Sequence, residues 1–169
     1  MAAYKIVLMS DSHGAAANVA RIMKKQPAAD RYIFLGDGTG PGLIHDVTVF
    51  LKTHPEYEEK FSVLRGNCDA GVWLPKSLCI DVPHHRIFAA HGDRYSVDFG
   101  WEKMMLAARL NNCDIILHGH THVRVTEQRE GFYIMNPGSC ARPRDGRPPS
   151  FGMMEILEDG SVFMTTADV

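Results

Sequence analysis

Five short polar motifs, each placed just after a run of apolar residues, constrain this chain more than any bulk property. They are Asp11-Ser12-His13, Gly36-Asp37, Gly66-Asn67-Cys68-Asp69, His91-Gly92 and Gly119-His120-Thr121-His122. Asp37 follows Asp11 by 26 residues, Asn67 comes 30 later, His91 another 24 and His120 another 29. A strand, a crossover and the next strand take roughly 30 residues, so each motif is expected at the end of a successive strand. In open α/β sheets the carboxyl ends of the strands meet at one crevice, where ligands bind. The motifs would deliver four imidazoles, two carboxylates and one amide to that rim. All are nitrogen or oxygen donors, suited to Mn²⁺, Fe²⁺, Zn²⁺ or Ni²⁺. Such a set suffices for two ions rather than one, which points to a dinuclear hydrolase.

The apolar runs Lys5 to Met9, Arg31 to Leu35 and Phe61 to Leu64 are near-continuous rather than alternating, as in strands buried on both faces of a parallel sheet. Between the first two, Asn18 to Lys25 carries Val19, Ile22 and Met23 at helical spacing, with basic residues in the last turn and Pro27 behind. Gly36 to Gly42 holds too many glycines to stay regular, and Leu43 to Lys52 can form a second helix. The later half changes character. Leu78 to Val82 and Arg86 to Ala90, separated by Pro83-His84-His85, predict a hairpin. Phe99 to Leu110 predicts an amphipathic helix with Met104, Met105 and Ala108 inward, and Asp114 to Leu117 a strand. Val123 to Gln128, Phe132 to Met135, Phe151 to Ile156 and Val162 to Thr165 read as short strands, with turn signals at Arg129-Glu130-Gly131 and Glu158-Asp159-Gly160. An early parallel half packed on a late antiparallel half gives an α/β fold with α+β character, a two-sheet β-sandwich flanked by helices. The expectation is one domain spanning 1–169.

Composition removes several function classes. A formal net charge of −2 argues against coating nucleic acid or a polybasic hold on a membrane, and no aromatic-basic stripe marks a nucleic-acid track. No stretch approaches the roughly 18 apolar residues of a membrane span, and the apolar run before Asp11 is too short for a signal peptide. Cys68, Cys79, Cys113 and Cys140 form no CxxC pair or framework. Free thiols in a reducing cytoplasm are the expectation. Self-association stays open.

The ordered set of motifs, together with Asn136-Pro137-Gly138-Ser139 before a Pro/Arg-rich loop, resembles the calcineurin-like metallophosphoesterases, in particular their small bacterial and archaeal phosphodiesterase branch. The resemblance runs from Asp11 to roughly Gly152. It implies an αββα architecture and two metal ions, with Mn²⁺ the expected pair and Fe²⁺, Zn²⁺ or Ni²⁺ as alternatives. Asp11, His13 and His122 would hold one ion, Asn67, His91 and His120 the other, and Asp37 would bridge. The implied activity is hydrolysis of small-molecule phosphodiesters by a metal-bridging hydroxide, consistent with the way paired ions depress the pKa of shared water. Asp37, Asn67, His91, Cys68 and Asp69 are the candidate catalytic residues. Cys68 departs from the wider family, where many relatives keep a histidine as general acid. A thiol with a reference pKa near 8.5 is a poor substitute. Asp69 is read as a residue that positions Asn67 or Cys68.

Blander readings compete at single positions. Asp37 and Asn67 also suit turns, and Cys68 could act as a redox-sensitive thiol. Arg142 and Arg144 either grip a phosphate or decorate a solvated loop. His118 is expected behind the ligands at a strand end, and His45, His54, His84 and His85 on the surface. The alternative function is a non-catalytic protein-binding scaffold on the same fold, like the retromer subunit, whose ligand set is incomplete at histidine positions. Here all seven positions are filled.

Overall fold

The computed structural model describes residues 3–38, 51–71 and 73–169. Its first strand, β1 (Tyr4–Met9), shows why the apolar runs behave as they do. Ile6 and Leu8 point into a core shared by two sheets, while Val7 and Met9 point outward under helix α1 (Ala16–Lys25). A strand covered on both sides has no solvent face, so its sequence cannot alternate. β2 (Arg31–Phe34) repeats the pattern, with Ile33 inward and Tyr32 and Phe34 toward α1.

Ten strands form two sheets. The first has the order β10-β9-β1-β2-β3 and the second β4-β5-β6-β8-β7. The remaining strands are β3 (Phe61–Val63), β4 (Ser77–Val82), β5 (His85–Ala90), β6 (Ile115–Leu117), β7 (Arg124–Arg129), β8 (Phe132–Pro137), β9 (Ser150–Ile156) and β10 (Val162–Asp168). Helix α2 (Glu102–Leu110) covers the outer face of the second sheet through Met104, Met105 and Ala108, which pack on Phe88, Ile116 and Ile134. The layers are therefore helix, sheet, sheet, helix. The shared core between the sheets holds Ile33, Leu35 and Leu64 from one side and Ile87, Leu117 and Met135 from the other. Burying side chains of this size stabilises by roughly 1.5–3 kcal/mol each.

The sandwich is as expected, but its division into a parallel early half and an antiparallel late half is not. Both sheets are mixed. β1, β2 and β3 are parallel, and β9 then pairs antiparallel to the free edge of β1, carrying β10 with it. In the second sheet β5, β6 and β8 are parallel, flanked by antiparallel β4 and β7. The physical reason is coverage. β1 is buried on both faces and would leave one row of backbone groups unpaired unless a distant strand closed it. Met154 and Ile156 on β9 complete the shared core there.

Two boundaries also shift. α2 begins at Glu102 rather than Phe99, because Gly100 adopts φ 145° and turns the chain. Phe99 is left exposed. The expected helix Leu43 to Lys52 lies outside the described residues except at its end, where 51–53 are helical. Among the described residues, no helix is long and apolar enough to cross a membrane.

Candidate metal centre

Each polar motif leaves the carboxyl end of a parallel strand. Ser10 to His13 leave β1, Gly36-Asp37 follow β2, Gly66 to Asp69 follow β3, His91 follows β5, and His118 to His122 follow β6. Backbone hydrogen bonds stitch these loops to one another. Asp11 N donates to Gly36 O at 3.0 Å, His13 N to Asp37 O at 3.0 Å and Gly119 N to His91 O at 2.9 Å. The first loop is joined to the second and the fifth to the fourth, so a ligand on one strand is fixed relative to ligands on its neighbour.

The local backbone is unusual. Among the described residues nine non-glycine residues have positive φ, and five of them are Asp11, His13, Asp37, His120 and His122. A left-handed non-glycine residue costs about 1–2 kcal/mol, and such strain gathers at functional sites. Its use here is to swing consecutive side chains off the strand ends toward a common point. Tight packing permits no bulk beside them. A Cβ on Gly36, at φ 105°, would lie 2.6 Å from Gly66 N and 2.9 Å from His91 Nδ1, and one on Gly66 would collide with the Asp37 carboxylate.

Among the described residues the side chains form three overlapping groups, one of them His13, Asp37 and Cys68. Asp11, His13 and His122 can offer one atom each within 4.8 Å of one another, and so can Asp11, Asp37 and His91. His13 Nε2 faces His122 Nε2 at 3.1 Å, and His122 Nε2 lies 3.3 Å from Asp11 Oδ1. His91 Nε2 lies 3.3 Å from Asp37 Oδ2 and 3.9 Å from Asp11 Oδ1. Asn67 Oδ1 and His120 Nδ1 meet at 3.0 Å, and the His120 ring stands edge-on to His91 with centroids 5.3 Å apart. All seven expected donors are thus brought to one rim, with Asp11 as central as Asp37.

Three of the four histidines commit their other ring nitrogen elsewhere. His91 Nδ1 donates to Leu35 O at 2.8 Å and His122 Nδ1 to Arg142 O at 2.6 Å. His120 Nε2 lies 3.0 Å from Asp98 Oδ2. This leaves His91 Nε2, His122 Nε2 and His120 Nδ1 turned to the centre, with ring orientation fixed from behind as metal-binding histidines are. His91 Nε2 and Asp11 Oδ1 are buried and make no hydrogen bond, despite their short separations from neighbouring charged atoms. Buried polar atoms left so cost roughly 1–3 kcal/mol each. A cation between them removes that cost, so the donor set fits divalent metal.

Charge in the metal-free centre is sharply polarised. Burial alone would raise Asp37, but the close approach and charge of His91, 3.3 Å away, and the N–H of Cys68 outweigh it and hold the carboxyl well below its usual range. Burial would lower His91, yet Asp37 and Asp11 push it up to about 9. Burial and the facing His122 lower His13, while the Asp11 carboxylate 3.3 Å away leads the rise at His122. Cys68 is exposed as a residue, but burial of its sulfur and the carboxylates of Asp37, Asp69 and Asp11 push the thiol up to about 11.

Supporting residues surround the donors. The buried Asp69 carboxylate accepts from Asp37 N and Gly66 N, both at 2.8 Å, and so clamps the second loop to the third. Asn136 Nδ2 donates to Gly119 O at 2.9 Å and Thr121 Oγ1 at 3.0 Å. Ser139 Oγ donates to Asp11 O at 2.7 Å. The Asn136 to Ser139 segment therefore braces two donor loops from beneath. His118 is fully buried, accepts from Trp101 Nε1 at 3.0 Å, and is lowered by burial to about 4. His85 is not the surface residue expected. Its ring nitrogens lie 2.6 Å from Asp114 Oδ2 and 2.7 Å from Gly160 O, because the β4–β5 turn packs on the β9–β10 turn. Asp98 went unforeseen: it sits in an irregular turn with no motif around it. Two expected positions, the Gly40–Gly42 loop and His45, lie outside the described residues.

Known proteins are similar to this chain in sequence and in fold. The model of the calcineurin-like phosphoesterase superfamily domain matches residues 4–159. Phosphodiesterase YfcE of Escherichia coli K12 is 30% identical over 167 residues, covering 89% of this chain and 87% of that protein. A predicted phosphoesterase of Streptococcus pneumoniae superposes with a TM-score of 0.77 at 24% identity, over 100% of this chain and 99% of its own. Vps29 of Entamoeba histolytica, solved in complex with zinc, has a TM-score of 0.69 at 22% identity, over 97% and 98% of the two chains. Both of these structural likenesses are of fold. With a family model spanning nearly all of its length and relatives of matching size, the chain belongs to the calcineurin-like phosphoesterase superfamily and is a metal-dependent phosphoesterase hydrolase.

Proposed function

We propose that the chain hydrolyses small-molecule phosphodiesters at a two-metal centre held by Asp11, His13, Asp37, Asn67, His91, His120 and His122. The observation that carries this reading is the pair of orphaned atoms, His91 Nε2 and Asp11 Oδ1, buried among converging donors. When bound, two divalent ions neutralise phosphoryl oxygens and supply an activated water near neutral pH. Asp37 would serve both ions, with Asp11, His13 and His122 on one side and Asn67, His91 and His120 on the other. The mixed imidazole, carboxylate and amide set accommodates Mn²⁺, Fe²⁺, Zn²⁺ or Ni²⁺, and Mn²⁺ is the ion proposed.

The chain's own residues set the rest. Asp69 keeps the Asp37 backbone in its strained turn, and Asp98 holds the far nitrogen of His120. Cys68, with its thiol protonated across the neutral range, is a weak proton donor, so the departing alkoxide takes its proton from solvent. The protein is placed in the cytoplasm, a reading supported by four free cysteines. Vps29 shares the fold, but a purely protein-binding role would leave the buried donors and the strained loops without a use.

The experiment is metal removal and return. Chelated protein should lack activity on bis-nitrophenyl phosphate, take up two ions per chain by elemental analysis, and recover better with Mn²⁺ than with Mg²⁺, which prefers oxygen ligands and keeps its waters. Uptake should weaken as pH falls, because His91 must release its proton to bind. Equal activation by Mg²⁺, or one ion at saturation, would count against the seven-residue assignment.

A further inference from the structure

Beside the candidate centre lies a second polar site. Arg65, Gly66 and Asn67 at the end of β3, Lys76 just before β4, and Asp93 and Arg94 in the turn after His91 line a cleft of about 240 Å³. Asn67 belongs to both places, since its Oδ1 meets His120 Nδ1 at 3.0 Å. The cleft thus opens directly off the rim where phosphate esters would be cleaved.

Its charge is out of keeping with the chain. The whole sequence carries a formal charge of −2, yet this cleft gathers three cations against the single carboxylate of Asp93. Among the described residues, none of Arg65, Lys76 and Arg94 takes part in an ion pair. Like charges held together repel, and ordinary surfaces disperse them or answer them with carboxylates. Here the backbone keeps them close instead. Arg65 N donates to Pro75 O at 2.8 Å, which ties the strand end to the segment carrying Lys76. Arg94 rides a short turn closed by Tyr95 N to Gly92 O at 2.9 Å and anchored by the Tyr95 ring against Phe88, 5.6 Å between centroids. The cations are positioned from two independent loops, and Arg65 is half-buried.

We infer that this cleft is a subsite for a second phosphate group, so that the preferred substrates are phosphodiesters whose other arm itself ends in a phosphate. The inference rests on the phosphodiesterase reading and narrows it. Two guanidinium groups match phosphate oxygens in paired hydrogen bonds, and Lys76 adds a point charge. The volume admits a phosphate and a few carbons but not a drug-sized group. Asp93 offsets part of that attraction, and the cleft stays net positive, which disfavours a cationic arm. The subsite acts on binding, so it lowers KM for the doubly charged ester.

The test compares nitrophenyl phosphodiesters that share a leaving group and differ in the other arm: ethyl, 2-phosphoethyl or choline. Metal-loaded wild type should favour the 2-phosphoethyl ester over the ethyl ester at least tenfold in kcat/KM, about 1.4 kcal/mol, through KM, with the choline ester last. In Lys76→Gln/Arg94→Gln that ratio should shrink to threefold or less. Indifference of wild type to the charge of the arm, or a double variant that keeps the full ratio, overturns the subsite. A loaded wild type that cleaves none of the three esters contradicts the phosphodiesterase reading rather than the cleft. In that case calorimetry with inorganic tripolyphosphate on the same purified proteins decides. Binding at least tenfold weaker in the double variant, and weakening with added salt as screened charges do, supports the site, and equal affinity removes it.

Discussion

Strand β5 has a histidine at each end, and the two ends of this one strand obey different rules. His85 opens it and satisfies both ring nitrogens, on Asp114 Oδ2 at 2.6 Å and Gly160 O at 2.7 Å. His91 follows its last residue. One nitrogen donates to Leu35 O at 2.8 Å, while the other is buried without a hydrogen bond 3.3 Å from Asp37 Oδ2. Both histidines sit against carboxylates, so proximity to charge does not separate them. What separates them is the unspent bonding capacity of the ring at one end, since left-handed residues occur at both, His84 at one and Asp11, Asp37 and His120 at the other. A structural cluster closes its own hydrogen bonds. A binding cluster holds donors open at a cost the rest of the fold must cover.

The sharpest way to break that contrast is at Asp37. Removing its carboxylate takes a donor from both proposed ion positions at once, whereas losing His120 would touch one. Asp37→Ala should bind fewer than two metal ions and lose activity by several orders of magnitude, the scale expected when charge stabilisation and water activation fail together. Metal analysis beside turnover of bis-nitrophenyl phosphate reads both effects. Full metal content with near wild-type turnover would remove Asp37 from the centre.

The same contrast explains what a reader of the sequence could and could not see. The strands β1 and β2 were legible because burial on both faces forces uninterrupted apolar runs, and β3, half-buried at the sheet edge, from Phe61, Val63 and Leu64. The convergence of the polar motifs was legible because their spacing equals that of successive parallel strand ends. Pairing of β9 with β1 was not, since it joins residues nearly 150 apart and leaves no local trace. Asp98 and the His85–Asp114–Gly160 cluster were hidden for the same reason: an isolated carboxylate or a Pro-His-His turn looks like surface until the fold supplies its partner. The backbone role of Asp69, clamping Asp37 N and Gly66 N, was equally out of reach. A motif names its residues without saying which atoms they spend.

At the closed end, the expected effect is on stability rather than activity. The hydrogen bonds to Gly160 and Asp114 outweigh burial and raise the His85 pKa. A folded-state pKa above the unfolded value means the imidazolium stabilises the fold. That contribution is fully present below about 6.5, the unfolded value, and is lost as pH rises through the raised folded value. His85→Gln should therefore destabilise the protein by about 1 kcal/mol at pH 5.5, a modest figure because Asp114 is half-exposed and screened. The gap between wild type and variant should narrow toward pH 8.5. Denaturant midpoints across that range measure it, and a gap independent of pH would show that His85 contributes packing alone. Metal content should not change, since the cluster lies at the far end of the strand from the donors.

Cys68 lies between the two kinds of residue and carries the smallest expected effect. Its N–H donates to Asp37 Oδ1 at 2.8 Å and its sulfur accepts from Asn67 Nδ2 at 3.3 Å, so the residue shapes the loop that aims two donors. Its thiol, pushed up to about 11, gives up a proton reluctantly. Both facts favour a packing role. Cys68→Ser keeps the backbone bond and offers a similar, smaller acceptor, so kcat/KM should change less than about threefold on bis-nitrophenyl phosphate and on an alkyl phosphodiester alike. A proton donor behaves differently, because nitrophenolate leaves without a proton and an alkoxide does not. A Cys68→Ser enzyme slowed at least tenfold more on the alkyl ester, about 1.4 kcal/mol in barrier, would make the thiol an acid despite its surroundings. Cys68→His approaches the question from the other side. An imidazole with a pKa near the working pH is a competent acid, so a gain on alkyl monoesters would show that the position can reach the leaving oxygen. The native thiol would then be in place without serving as an acid, which assigns Cys68 to the closed, structural kind although it sits among the open one.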